Sequence, residues 1–177
     1  MNWKPFRKGP QPGPAPAPTL SSLRPGFTVT CGLQAWRVTA QHRYEHEGGG
    51  PVDAWELTCG HEVRCLARER GGRVQWTLTR RVPLSEVQCD VQAHMARHED
   101  PPDWVRLEGV EYEAEASSVG LLYEDGEGPG LEFTVWEYAD ETGKRVLYIR
   151  QWGGGDLSAA IGEVVEEDAF SDVRPPR

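Results

Sequence analysis

The chain reads as a mainly β protein: two small antiparallel β-meander or barrel-like modules in pseudo-tandem, joined by one helix. Three observations carry that reading. Turn signals recur at intervals of about ten residues (Gly48-Gly49-Gly50-Pro51, Gly60, Gly71-Gly72, Gly109, Gly126 to Gly130, Gly143, Gly153-Gly154-Gly155), the spacing of a meander. The runs between them are short and rich in Val, Thr, Trp, Tyr and Leu, residues that suit a pleated, half-buried surface. The halves also echo each other: Gly32, Trp36, Val38, Trp55-Glu56-Leu57 and Leu66 in the first, Gly109, Tyr112, Trp136-Glu137-Tyr138 and Leu147 in the second.

The elements follow in order. Residues 1–18 hold six of the fourteen prolines, interleaved with Gly and Ala, so they form neither helix nor ladder and read as an extended tail. A first module spans 19–84, with strands at 27–31, 35–44 and 52–58. Its clearest unit is a hairpin over 62–82, where Val63, Cys65 and Ala67 alternate with charged residues, Gly71-Gly72 turns the chain, and Val74, Trp76 and Leu78 alternate with polar ones. Ser85-Glu86-Val87-Gln88 has the form of a capping box, Val87, Val91 and Met95 are spaced by four, and Pro101-Pro102 stops continuation. These residues predict a linking helix over 86–98, within a segment 85–100. A second module covers 101–170, with strands at 110–114, 119–123, 131–138, 145–151 and 157–161. Residues 171–177, ending Arg174-Pro175-Pro176-Arg177, read as a second tail.

With 177 residues, 38% apolar and 27% charged, the chain can bury a core without staples. It contains no apolar run of membrane-spanning length, and Pro, Gly and Ala follow Lys4, Arg7 and Lys8 where a signal peptide needs apolar residues. The expectation is therefore a cytoplasmic protein whose four cysteines stay reduced. Charge is uneven: residues 1–98 carry 13 basic and 8 acidic side chains, a net of +5, and residues 99–177 carry 6 and 20, a net of −14. Opposite signs lead us to expect halves that dock by charge or offer two faces to partners. A net charge of −9 disfavours nucleic acid, whose binding needs clustered cations.

Leu23-Arg24-Pro25-Gly26 leading to Val29, Trp36-x-Val38, Trp55-Glu56-Leu57, Gly109-x-x-Tyr112, Trp136-Glu137-Tyr138, Leu147-x-Ile149-x-x-Trp152 and Ile161-Gly162-Glu163 together resemble the bacterial domain of unknown function 4178 family, over about residues 20–170. The order and spacing of these motifs, each weak alone, carry the resemblance. It implies a mostly β cytosolic protein with no established activity. Members tend to be encoded near phage-shock-type membrane-stress proteins and polyamine-synthesis enzymes, which implies an accessory role.

Catalytic and metal chemistry find little support. His42 and His46, four apart on a strand, stand roughly 13 Å from one another and read with Tyr44 as a solvated strand end. His94 and His98 share a helix face, but Cys89 points elsewhere and Cys59-x5-Cys65 has the wrong spacing for a zinc knuckle, so neither metal nor cofactor is expected. No nucleophile elbow or phosphate loop is present, and Gly126 to Gly130, beside Asp125 and Glu127, is a turn. Glu56 and Glu137 occupy equivalent places and, if paired, could do acid/base work.

Seven tryptophans serve either as core or as binding anchors. The hairpin arginines (Arg64, Arg68, Arg70, Arg73, Arg80, Arg81) form either a solvated face or a docking site for acidic groups. The residues singled out for partner or ligand binding are Trp55, Glu56, Trp136, Glu137, Tyr138 and Trp152. The expected function is a non-catalytic binding or scaffold module of a bacterial envelope-stress system, with a protein partner. The alternative is a binder of a small polyamine-like cation, or an auxiliary enzyme of polyamine metabolism, using charge and cation–π contact. A cavity where Trp, Tyr and Glu converge favours the ligand reading; a filled interior with an exposed strand edge favours the partner.

Overall fold

A computed structural model describes residues 17–71, 74–153 and 155–176. The expected proline-rich tail lies outside the described residues except for exposed residues 17 and 18. Eleven strands are formed: β1 Thr28–Cys31, β2 Gln34–His46, β3 Pro51–Cys59, β4 Glu62–Glu69, β5 Gln75–Val82, β6 Trp104–Leu107, β7 Val110–Glu124, β8 Leu131–Ala139, β9 Arg145–Trp152, β10 Asp156–Val165 and β11 Phe170–Arg174. Neighbours in the sheet run β11-β1-β2-β3-β4-β5-β10-β9-β8-β7-β6, and β2 also pairs with β7. All these pairings are antiparallel.

The extra pairing closes β2-β3-β4-β5-β10-β9-β8-β7 into an eight-stranded barrel, to which β2–β5 and β7–β10 each contribute one meander. The two meanders therefore do not close separately. Each open edge of one is satisfied by the other, at β5–β10 and β2–β7, which removes the unpaired backbone that two separate meanders would expose.

Strands β2 and β7 can serve two partners because they are long. The first part of β2 pairs with β1 and its last part with β7; the first part of β7 pairs with β6. Both carry an irregularity, between Val38 and Ala40 and between Ala114 and Ala116, that re-aims the strand. At the closing seam only glycine fits position 120: a Cβ there would lie 2.2 Å from the Glu45 carbonyl oxygen and 2.9 Å from the Phe133 ring.

Two large hydrophobic clusters lie on the outward face of the barrel strands. One packs Trp55, Leu57, Leu66 and Trp76 beneath Leu20, Leu23, Val29 and Phe170, so that β1, β11 and the segment 20–23 cover it. The other packs Trp136, Tyr138, Leu147 and Ile149 beneath Val91, Val105 and Leu107, from α1 (Val91–His98) and β6. Because side chains alternate along a strand, burying one face in these clusters turns the opposite face toward the barrel axis. The hairpin shows the register: Leu66 opposes Leu78 on the outward face, whereas Cys65 opposes Thr79 and Ala67 opposes Thr77 on the inner one. The apolar residues of β4 and β5 that look alike in sequence thus split between faces.

Several expected boundaries shift. The helix begins at Val91, not 86: Ser85 lies in a 3-10 turn (Leu84–Glu86), and the capping side chain is Asp90, whose Oδ1 accepts from the Ala93 N–H at 2.9 Å. Residues 110–114 and 119–123 form one strand. The expected second tail instead contributes β11, which pairs with β1.

Candidate functional site: a polar barrel lumen

The inward face is unusually polar for a small barrel, whose interior is commonly filled by packed side chains. Two cavities occupy it. The first, about 310 Å³, is capped by the Glu47-Gly48-Gly49-Gly50 turn and lined by Tyr44 and His46 of β2, Glu69 of β4, Thr77 of β5, Ser118 of β7, Glu137 of β8, and Tyr148 and Arg150 of β9. The second, about 350 Å³, is lined by His42, Glu56, Arg64, Arg81, Glu124, Arg150, Trp152 and Ser158, among others. Tyr44, Cys65, Thr79 and Arg150 line both.

Arg150 organises this shared wall. Its guanidinium lies 5.0 Å from the Tyr148 ring centroid and 5.5 Å from that of Tyr44, within cation–π range. Burial pushes the Tyr44 hydroxyl above its ordinary range, against the opposing charge of Arg150. Burial also raises the Tyr148 hydroxyl to about 12, with Glu137 adding to the effect and Arg150 opposing it. The Cys65 thiol is pushed up by burial, while Arg150 and Arg81 pull the other way. The Glu137 carboxyl is raised first by burial and next by Glu69, with Arg150 opposing. His46 is lowered by burial and then by Arg150; its Nδ1 is 2.8 Å from the Ser118 hydroxyl, and its ring meets Phe133 edge-on at 5.2 Å.

The six residues singled out by sequence divide into two sets. Glu56, Glu137 and Trp152 face the lumen. Trp55, Trp136 and Tyr138 are core residues instead, because the register turns them outward into the two clusters. Their polar atoms are satisfied there: Trp55 Nε1 donates to Leu23 O at 2.9 Å, Trp136 Nε1 to Asp100 Oδ1 at 3.0 Å, and the Tyr138 hydroxyl to Pro102 O at 2.9 Å. The stacked pair Trp55–Trp76 belongs to the same core. Glu56 and Glu137 line different cavities and do not form an acid/base pair; Glu56 accepts from the Thr39 hydroxyl at 2.8 Å.

The sequence reading missed Arg150, Tyr44, Tyr148, His42 and His46 as site residues. The two histidines alternate with exposed Arg43 and Glu45 and so looked solvated; the barrel encloses their face. Of the hairpin arginines, Arg73 lies outside the described residues and the others divide among several partners. Arg68 and Arg70 both pair with Asp53, Arg64 with Glu62 and Arg80 with Glu108, while Arg81 lines the lumen. His94 and His98 lie with ring centroids 4.4 Å apart, and His94 Nδ1 is 2.8 Å from Asp100 O. Among the described residues no three His, Cys, Asp or Glu side chains converge as a metal set. No helix among them is long and apolar enough to cross a membrane.

Fold and lumen together define an antiparallel β-barrel with an internal polar cavity. The model of the domain of unknown function family DUF4178 matches residues 24–167, and the chain belongs to that family. No curated protein and no solved structure matches it.

Proposed function

We propose that the protein is a non-catalytic binding module that holds a small polar molecule in its barrel lumen. The observation that supports this is the placement of the two large hydrophobic clusters outside the barrel, which leaves, beside a smaller inner cluster of Leu122, Phe133 and Val135, ligand-sized cavities lined by aromatic, hydroxyl and charged groups. At the turn-capped end Glu47, Glu69 and Glu137 outnumber Arg150, which favours an amine. Arg150 already covers the faces of Tyr44 and Tyr148, so the amine meets carboxylates rather than an aromatic cage. This supports a short amine or an amine-bearing end over a polyamine threaded through the lumen.

The accessory stress-response role implied by the family resemblance fits such a ligand-holding module, with a protein partner as a second reading. The strand order ends at β11, whose outer edge has no strand neighbour among the described residues, and a partner strand can add there.

Thermal unfolding with putrescine or spermidine, at ionic strength matched with sodium chloride, tests the amine reading. We expect a saturable rise in Tm that is lost in Glu137→Gln. No rise with either amine, or an undiminished rise in the variant, overturns it.

A further inference from the structure

We infer that the second cavity, at the Arg81 end of the lumen, is a site for an oxyanion carried on an apolar body. The inference rests on the lumen being a ligand site. Its lining carries Arg64, Arg80, Arg81 and Arg150 against Glu56 and Glu124. Arg64 and Arg80 are engaged with Glu62 and Glu108, whereas Arg81 and Arg150 have no carboxylate partner among the described residues. Glu56 is turned to the Thr39 hydroxyl.

The ladder explains how the two free arginines come to line one cavity. Ser158 and Ala160 are successive inward-facing residues of β10; Arg150 of β9 opposes Ser158, and Arg81 of β5 opposes Ala160. Two arginines on flanking strands thus frame two small side chains on the strand between them. The space that larger residues would fill is left for a ligand, and forked donors on both sides match an oxyanion.

Two further groups point the same way. The Nδ1 of His42 is buried without a hydrogen-bond partner and lies in this cavity's wall. A buried polar atom left so is costly, and an acceptor or donor on a ligand relieves it. Ser158 Oγ accepts from Trp152 Nε1 at 2.8 Å, which leaves the serine hydroxyl hydrogen free to donate. Leu122, Trp152, Ala159 and Ala160 supply the apolar wall for the rest of the ligand.

The test compares sodium hexanoate, inorganic phosphate and neutral hexanol at matched ionic strength, reading Tm and tryptophan fluorescence, with Trp152→Phe identifying the responding ring. We expect saturable binding of hexanoate or phosphate, the stronger arm identifying the acidic group. Affinity should fall at least about tenfold in Arg81→Gln, the loss expected on deleting a charge-assisted contact. Arg81 is exposed, so this variant should keep the fold. Binding of neither anion, equal effects of hexanol and hexanoate, or unchanged affinity in Arg81→Gln overturns the inference. Glu137→Gln separates the readings: it should abolish the amine effect and leave oxyanion binding intact.

Discussion

The guanidinium of Arg150 lies over the ring of Tyr148, 5.0 Å from its centroid, on the wall that separates an acidic cavity from a basic one. The charge faces the π cloud, and no carboxylate is within ion-pair distance among the described residues, so Arg150 remains available to a ligand in either cavity.

Burial of Tyr148, opposed by Arg150, shapes its alkaline behaviour. Tyr148 rises from 10.0 to about 12 in the folded protein. Above pH 10 the unfolded chain therefore loses its phenolic proton before the native one does. Stability should fall as pH rises from about 10 to 12, by up to about 1.4 kcal/mol per pH unit per such tyrosine. In Arg150→Met the opposing positive charge is gone, so Tyr148 should ionise at still higher pH. Tyrosinate absorbance and urea unfolding across this range check both statements.

The opposite charges of the two halves invite an expectation of electrostatic docking, but the halves meet through backbone ladders at β5–β10 and β2–β7. Among the described residues one ion pair, Arg80–Glu108, joins residues 1–98 to 99–177. It is partly exposed and worth at most about 1 kcal/mol. Raising sodium chloride from about 0.1 M to 1 M, which shrinks the Debye length to about 3 Å, should change unfolding free energy by no more than about that amount. A larger loss would restore charge docking.

At the β2–β7 seam, Gly120→Ala should be destabilising by about 1 to 3 kcal/mol, as overpacking against fixed backbone usually is. The added Cβ would meet the Glu45 carbonyl oxygen at 2.2 Å, so the strands must part. Hydrogen exchange should show faster opening across residues 42–46 and 120–124 than in the β3–β4 hairpin. Gly162→Ala, 2.1 Å from the Leu78 carbonyl oxygen, should loosen the other seam in the same way.

Most strands were legible because one face of each is apolar, as with Trp55 and Leu57 alternating with Glu56 and Thr58. The lumen was not legible for the same reason. A polar face looks the same in sequence whether it meets water or the opposite wall of a barrel, so His42 and His46 read as a solvated strand end. Strand β7 was split because the irregularity at Ala114 to Ala116 interrupts its period of two. Strand β11 was missed because β1, its only strand partner among the described residues, lies far away in sequence. The helix start was misplaced because Ser85 and Gln88 have a capping pattern that Asp90 fulfils.

Trp55 and Trp136 carried the echo between the halves, and both are now core predictions. Trp55 is 1% exposed and Trp136 is 8% exposed. Trp55→Ala should cost about 3 to 5 kcal/mol in urea unfolding. Trp136→Ala should cost somewhat less, because its ring reaches the edge of the cluster and bonds to Asp100, which can turn to water. A near-neutral Trp55→Ala would place that ring outside the core.

Glu137 gives the sharpest pH test of the lumen. Its carboxyl lies inside the barrel, and burial, reinforced by Glu69, raises it above the ordinary 4.5. A carboxyl raised in the native state makes the folded protein bind its proton more tightly than the unfolded chain. The contribution to stability is therefore full below pH 4.5 and declines as pH rises through the window between the unfolded and folded values, then stays flat. Glu137→Gln keeps the shape and removes the charge, so that decline should disappear. The variant should be more stable than the parent at pH 7, and the advantage should vanish by about pH 4, where both are neutral. Urea unfolding of both proteins from pH 4 to 7 measures the difference directly. If the two curves run parallel, Glu137 is solvated, the acidic cavity is open water, and the amine reading loses its anchor.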